Sequence, residues 1–194
     1  MEHWRYYIQA RLLEALGRGP EAIATYQAAL RVKPDFHRCP NRIAYILAGL
    51  GRFAEAAPWF QAVLRADPGN AVAHFNLGYS HDKCGELEKA VAEFSEATRL
   101  NPKIDRAWYG LGLSHAALGR HEMAAKALHE AATLQPMNPH AWYQLGMAYH
   151  TLQQQEKLQE VVMHLLRFDP KMTRRLILDA GRTDLAHLVK DLVV

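Results

Sequence analysis

The sequence has few of the residues on which covalent and catalytic sites depend. Only two cysteines occur among 194 residues, so no disulfide framework can form and a reducing compartment such as the cytoplasm is expected. Serine occurs at Ser80, Ser95 and Ser114, and none stands in the turn that exposes a hydrolase nucleophile. No glycine-rich phosphate loop is present. These absences argue against an enzyme, and no catalytic residue is predicted.

Long apolar runs and a strong net charge are also missing. No stretch is long enough to span a bilayer as a helix, and the first residues lack the basic and apolar segments of a signal peptide. Lysine and arginine number 23 against 20 acidic residues, a net charge of +3. This excess is well short of the clustered charge of a nucleic-acid-binding domain. We therefore expect a soluble cytoplasmic protein that neither binds nucleic acid nor spans a membrane, or a soluble piece of a longer chain.

What the sequence does contain is a period of 34 residues. A fixed step of this length indicates a repeat architecture. Prolines follow the period at Pro34, Pro68, Pro102, Pro136 and Pro170. Glycines follow it at Gly17, Gly51, Gly85 and Gly119, with Gln153 in the fifth place.

The positions between these markers explain how each repeat would fold. Leu111-Gly112 sets a large residue beside one with no side chain, which lets a second helix approach closely. A glycine such as Gly119 can take a positive φ and end the first helix, and the following proline stops the second. Each helix pair alone leaves an apolar face in water, which stacking on a neighbour buries.

These columns resemble the tetratricopeptide repeat, whose pattern W-x2-L-G-x2-Y is followed by Ala, Phe, Ala and Pro. His115 and Leu128 replace the aromatic residues of the pattern in the fourth repeat. The matching residues there are Trp108, Leu111, Gly112, Ala124, Ala131 and Pro136. The resemblance implies an all-α fold, an α-α superhelix or solenoid of helix hairpins. The predicted repeat region is 3–170, in units 3–36, 37–70, 71–104, 105–138 and 139–172.

Three local features depart from the repeat pattern. Pro58 stands early in a helix expected near 54–66 and predicts a bend or a later helix start. Gln153 and its neighbours replace the turn glycine and predict a tighter turn or a longer helix. The tail 173–194 has apolar residues at helical spacing up to Leu192, with Gly181 separating two short helices or kinking one. We expect a capping helix there, and docking on a partner is the alternative.

In the family that this chain resembles, the first helices of successive repeats line a concave groove, which implies a set of partner-binding residues. The candidates are Arg38, Asn41, Arg42, Tyr45, Phe75, Asn76, Tyr79, Arg106, Tyr109, Tyr143 and Gln144. Aromatic side chains and arginine dominate binding hot spots. Arginine can hold a carboxylate, and asparagine can bond a peptide backbone. This set favours a protein or peptide ligand, with acidic groups as one option.

Five of the candidates also have an alternative interpretation. Tyr79 and Tyr109 can pack between repeats, and Arg38, Arg42 and Arg106 can pair with nearby acids.

Some members of the family hold chaperone C-termini with a clamp of Lys, Asn, Asn, Lys and Arg. The matching places here are Asn41, Tyr45, Asn76, Arg106 and Gly110. Only Asn76 and Arg106 fit that clamp, so chaperone specificity is not predicted.

Metal and cofactor sites are not predicted, although eleven histidines are present. His81, His115 and Cys84 are possible zinc ligands, but equivalent residues of stacked helices stand about 8–10 Å apart. That separation is too long for two bonds to one ion, so the histidines are expected to replace core aromatics. Cys39-Pro40 matches a short haem-regulatory dipeptide, which is too little to predict haem.

The function predicted from the sequence is a non-catalytic interaction module or adaptor that binds a peptide or partner segment in its groove. The first alternative is a self-associating scaffold, because the first helix begins close to Met1 with no cap before it. The second is a regulatory repeat region of a longer protein.

Overall fold

The computed structural model of the protein describes residues 1–190, and α-helices joined by short turns make up most of them. The chain forms two compact units, Met1–Lys89 and Ala90–Val194, each taken separately below. The first helices of the repeats are α1 Glu2–Ala15, α3 Arg38–Gly49, α5 Ala71–Lys83, α7 Asp105–Ala117 and α9 Pro139–Thr151. The second helices are α2 Gly19–Val32, α4 Phe53–Ala66, α6 Leu87–Leu100, α8 His121–Leu134 and α10 Gln155–Leu166. The helix α11 Pro170–Asp179 and a 3-10 helix Thr183–Val189 follow.

In the first unit, neighbouring helices pack in chain order. Helix α1 packs on α2, α2 on α3, α3 on α4 and α4 on α5. Tyr26, Phe60 and Ile43 are fully buried in its core, and each lies on the apolar face that its repeat pattern predicted. The all-α fold of tetratricopeptide type is thereby confirmed.

In the second unit, small residues bring the helices close together. A Cβ atom placed on Gly112 would lie 2.6 Å from Cγ of Leu128, and one on Gly146 would lie 2.7 Å from Cδ2 of Leu176. Real Cβ atoms do not come that near to other side chains. The glycines therefore permit the close approach that the Leu-Gly pairs predicted.

The periodic prolines and two tryptophans, Trp108 and Trp142, lie where consecutive repeats join. Helices α2, α4, α6 and α8 each end two residues before a periodic proline, whereas Pro170 opens α11 instead of following a stop. The indole Nε1 of Trp108 donates to the carbonyl oxygen of Pro102, and Trp142 donates to Pro136, each at 2.9 Å. The tryptophans therefore fasten one repeat to the end of the preceding one.

The turn at Gln153 corrects a prediction. Helix α9 ends at Thr151, and Gln153 takes a φ of 57°, close to the 73–76° of the four periodic turn glycines Gly17, Gly51, Gly85 and Gly119. The turn is therefore neither tighter nor followed by a longer helix, because packing of α10 on α9 imposes the left-handed conformation. Pro58 likewise lies inside α4, which still begins at Phe53, so the helix start is not moved.

The tail forms two segments separated by Gly181, whose φ is 63°. Helix α11 packs on α9 and α10, and the 3-10 helix packs on α11. Leu176 and Ile177 of α11 are buried. Leu192, which was predicted to share this apolar face, lies outside the described residues. The boundaries 173–194, the capping role and the repeat limits stay predictions.

Candidate functional site

Seven of the eleven candidate residues lie in the first unit, four on α3 and three on α5. The surface formed by these first helices of the repeats is called the first-helix face. A hydrogen bond joins the two helices here, from Asn76 Nδ2 to the hydroxyl oxygen of Tyr45 at 2.9 Å. The Tyr45 ring meets Phe60 edge-on at 5.7 Å and is 42% exposed. Tyr45 is therefore fixed by its contacts with Phe60 and Asn76, while part of the residue remains exposed to solvent.

Tyr79 has the same dual character. Its ring meets Phe53 of α4 edge-on at 5.6 Å and stacks on Phe75 at 6.4 Å. The Lys83 ammonium lies 5.0 Å from the ring centre, and Tyr79 is 40% exposed. Packing within the unit and exposure therefore coexist, and the residue combines both interpretations given to it.

Arg42 is engaged inside the first unit. Its guanidinium donates to the carboxylate of Glu14, with an Nε–Oε2 distance of 3.2 Å and a second bond from Nη2. The hydroxyl of Tyr26 donates to the same carboxylate at 2.8 Å. Burial, followed by this hydrogen bond, raises the pKa of Tyr26. Arg42 therefore fits the paired interpretation and links the first two repeats.

Arg38 and Asn41 differ from Arg42 in their contacts. Arg38 is exposed, and its guanidinium lies 5.3 Å from the centre of the Trp4 ring. Asn41 is half-buried on the same helix. Sequence reasoning missed Trp4, which is 41% exposed. The signal was available, because Trp4 precedes Arg38 by one period and so shares its place in the repeat.

The second unit carries the other four candidates. Arg106 is exposed in the first turn of α7, and Gln144 is half-buried on α9. Tyr109 packs against the core of this unit, and its burial raises the pKa of the hydroxyl. Packing on the core is the alternative that was left open for this tyrosine.

Tyr143 is tied to the tail. Its hydroxyl donates to Asp179 Oδ2 at 2.6 Å, and the guanidinium of Arg175 lies 5.0 Å from its ring centre. Both partners belong to α11. A ligand that contacts the Tyr143 ring must therefore compete with Arg175 for its face.

Two of the eleven histidines and one of the two cysteines are buried. His81 and His115 are buried and occupy core places, as predicted. His81 Nδ1 lies 2.5 Å from Glu86 Oε2. Burial raises the pKa of the Cys39 thiol to about 11, which keeps it protonated at neutral pH.

Within residues 1–190, no three or more His, Cys, Asp or Glu side chains are grouped closely enough to hold a metal ion. Among the helices of that same stretch, none combines the length and the apolar composition that crossing a membrane requires.

Models of one protein family match most of the chain. Four models described as tetratricopeptide repeat match residues 7–71, 47–112, 105–138 and 139–172. A search for relatives among curated proteins found no match.

Solved structures of similar fold include YrrB, a TPR protein with an unusual peptide-binding site. It is 22% identical with a TM-score of 0.78, over 91% of this chain and 90% of that one. MamA from Desulfovibrio magneticus RS-1 is 19% identical with a TM-score of 0.74, over 93% and 96%. A tetratricopeptide repeat protein from Parabacteroides merdae ATCC 43184 is 16% identical with a TM-score of 0.77, over 95% and 76%. Identities this low establish similarity of fold alone.

Proposed function

Because the chain belongs to the tetratricopeptide repeat family, we propose that it is a non-catalytic interaction module that binds a peptide or partner segment on its first-helix face. The observation that carries the proposal is the pair Tyr45 and Tyr79 in the first unit. Each ring is held by a packed aromatic neighbour, and each is about two-fifths exposed. Exposed aromatics fixed in this way are typical of binding hot spots.

The polar groups beside these rings support a peptide as the ligand. Asn76 donates one N–H to Tyr45, which orients its amide and leaves its carbonyl oxygen to accept a bond from a ligand. Arg38 is exposed on the same helix as Tyr45, about two turns before it. The peptide-binding site named for YrrB agrees with such a role for the fold.

The test begins with selection of peptides from a random display library on the immobilised full chain. The affinity of the selected peptides is then measured by calorimetry for wild type and for Tyr45→Ala/Tyr79→Ala. We expect a loss of affinity of about 30-fold or more, because truncation of even one hot-spot aromatic costs about 2 kcal/mol.

The matched control is Met123→Ala/Met137→Ala, which removes two exposed apolar side chains from other elements. Its affinity should equal that of wild type, and circular dichroism verifies that both variants fold. Equal affinity for wild type and the tyrosine variant would refute the proposal.

Self-association is a second candidate, and a specific surface favours it. Ile8 and Leu12 on α1 and Leu16 directly after it follow one another at four-residue steps and are 58%, 62% and 72% exposed. Such a stripe is unusual on a monomer surface. Leu12→Glu should abolish any concentration dependence of the mass in sedimentation equilibrium, whereas Leu178→Glu, at another exposed leucine, should not. A wild-type chain that stays monomeric at every concentration rules out self-association.

Cellular location and the role of a longer chain also belong to this proposal. Both cysteines are free thiols, which supports a reducing compartment such as the cytoplasm. A regulatory role within a longer polypeptide would use the same first-helix face. Fractionation of the native host, with detection by antibody, tests the location and the length of the chain together.

A further inference from the structure

Aromatic rings of α1 and of the loop after α2 form a cluster in the first unit, here called the aromatic corner. Its centre is Phe36, which is buried, with ring centroids 5.0 Å from His3, 5.1 Å from Trp4 and 5.4 Å from Tyr7. Trp4 remains 41% exposed. A large ring that neighbours already hold in place gives a ligand contact area at little entropic cost.

Arg38 completes the aromatic corner. Its guanidinium carbon lies over the Trp4 ring, 5.3 Å from the ring centre, and it has no ion pair among the residues that the structure describes. A guanidinium placed over a ring still has N–H donors that point away from it. Those donors can meet both oxygens of one carboxylate with two parallel hydrogen bonds.

The charges around the aromatic corner favour an anion. The pKa of His3 is lowered, first by its burial and then by the positive charges of the N-terminus and Lys33, while Asp35 acts in the opposite direction. Together with Arg38, these groups give the cluster more positive than negative neighbours.

We infer that the aromatic corner binds the carboxylate of an acidic residue in a peptide ligand, with an apolar residue of the ligand beside it. This inference rests on the proposed function and names the chemistry of the ligand. Arg38 donates two N–H groups to the carboxylate, and the exposed part of Trp4 contacts the apolar neighbour. Trp4 and Arg38 share one place in consecutive repeats, so the aromatic corner continues the first-helix face that carries Tyr45.

A carboxylate fits this surface better than a phosphate. A phosphate carries up to two charges and three acceptor oxygens, and it is typically met by a cluster of arginines. The aromatic corner offers one arginine and not a cluster of them. One negative charge with two acceptors therefore matches the donors present.

The test uses the full chain and short N-acetylated peptide amides whose central residue is glutamate, glutamine or phosphoserine, with the other positions random. Selected peptides are measured individually with wild type, Arg38→Ala and Arg38→Lys. The control is Arg31→Ala, which removes the same charge from an exposed site on α2. Wild type should prefer glutamate over glutamine by about tenfold, the gain typical of a charge-assisted hydrogen bond. Arg38→Ala should lose the preference, Arg38→Lys should keep part of it, and Arg31→Ala should keep all of it.

The possible outcomes separate this inference from the proposed function. Peptides that bind wild type through Tyr45 and Tyr79 with no preference for glutamate overturn the inference alone. A preference that survives Arg38→Ala overturns the role of Arg38, and an Arg38-dependent preference for phosphoserine over glutamate overturns the carboxylate. If wild type binds none of the peptides, the proposed function fails and the inference fails with it.

Discussion

Gln153 has the backbone conformation that glycine has in the other four repeat turns, with a φ of 57° against 73–76°. A side chain in this left-handed region costs about 1–2 kcal/mol, because Cβ crowds the following carbonyl oxygen. Four of the five turns avoid this cost. The fifth accepts it, so helix stacking rather than the local sequence determines the turn.

Gln153→Gly should therefore stabilise the protein. We expect a gain of about 0.5–1 kcal/mol, since removing the strain outweighs the extra freedom that glycine has in the unfolded chain. The reverse change in an equivalent turn, Gly119→Gln, should cost about 1 kcal/mol. Urea unfolding of both variants measures the difference, and a destabilised Gln153→Gly chain would contradict the argument.

Arg42 illustrates how burial changes the value of an ion pair. The side chains of Arg42 and Glu14 are 32% and 25% exposed, and Tyr26 shares the carboxylate. Arg42→Ala should cost about 1–3 kcal/mol, because Glu14 then loses two donors in a partly buried place. Arg52→Ala removes an exposed pair, 46% and 57% exposed, and should cost under about 1 kcal/mol. Equal losses in thermal or urea unfolding would show that partial burial adds nothing to this ion pair.

At the scale of elements, side chains and backbone together hold the turn between α5 and α6. Glu86 N–H donates to the carbonyl of His81 at 2.9 Å, and the Glu86 carboxylate receives Lys89 Nζ at 2.9 Å as well as the His81 ring. These bonds connect the end of one helix to the start of the next. The turn is therefore stabilised by a charge that depends on pH.

The pKa of Glu86 is lowered by its hydrogen bonds to Lys89 and then His81. A carboxyl whose pKa is lower in the folded state stabilises the fold above its unfolded pKa, about 4.3, and loses that effect as the pH falls through the folded value. Glu86→Gln should therefore lower the melting temperature at pH 7 and leave it nearly unchanged at pH 3. Melting curves of both chains across this range provide the check, with Glu130→Gln, at another exposed carboxylate, as control. A difference that is constant with pH would contradict the assignment.

At the scale of the whole molecule, the two cysteines report on different states of the chain. Cys39 is buried in the first unit with a pKa of about 11, while Cys84 is exposed. The thiolate is the reactive form. Reactivity of Cys39 therefore requires both exposure and deprotonation.

Thiol labelling at pH 8 should modify Cys84 quickly and Cys39 only as the protein unfolds. We expect the Cys39 rate to rise with urea in parallel with the unfolding transition, because opening the core restores an ordinary thiol. Mass spectrometry after digestion resolves the two sites. Labelling of both at the same rate in the native protein would show that the core around Cys39 opens locally.

The repeat, the helix pairs and the residues that face the core follow from the sequence alone. A period of 34 residues repeats the same apolar pattern, and each helix pair must bury its apolar face against the next. Gly112 was predicted to let the second helix of its pair approach closely, and it lies against Leu128 of that helix. Local patterns predict the helices and their apolar faces because both depend on residues one or two turns apart.

Which candidate residues have partners within the fold depends on the tertiary structure. Arg38 and Arg42 stand one turn apart on α3, and no local pattern distinguishes them. Arg42 is paired because Glu14, 28 residues earlier, lies beside it, whereas Arg38 lies over the exposed ring of Trp4. The hydroxyl of Tyr143 is engaged for a similar reason, by Asp179 from 36 residues later. These contacts depend on where distant helices bring their side chains, which periodicity along the chain does not encode.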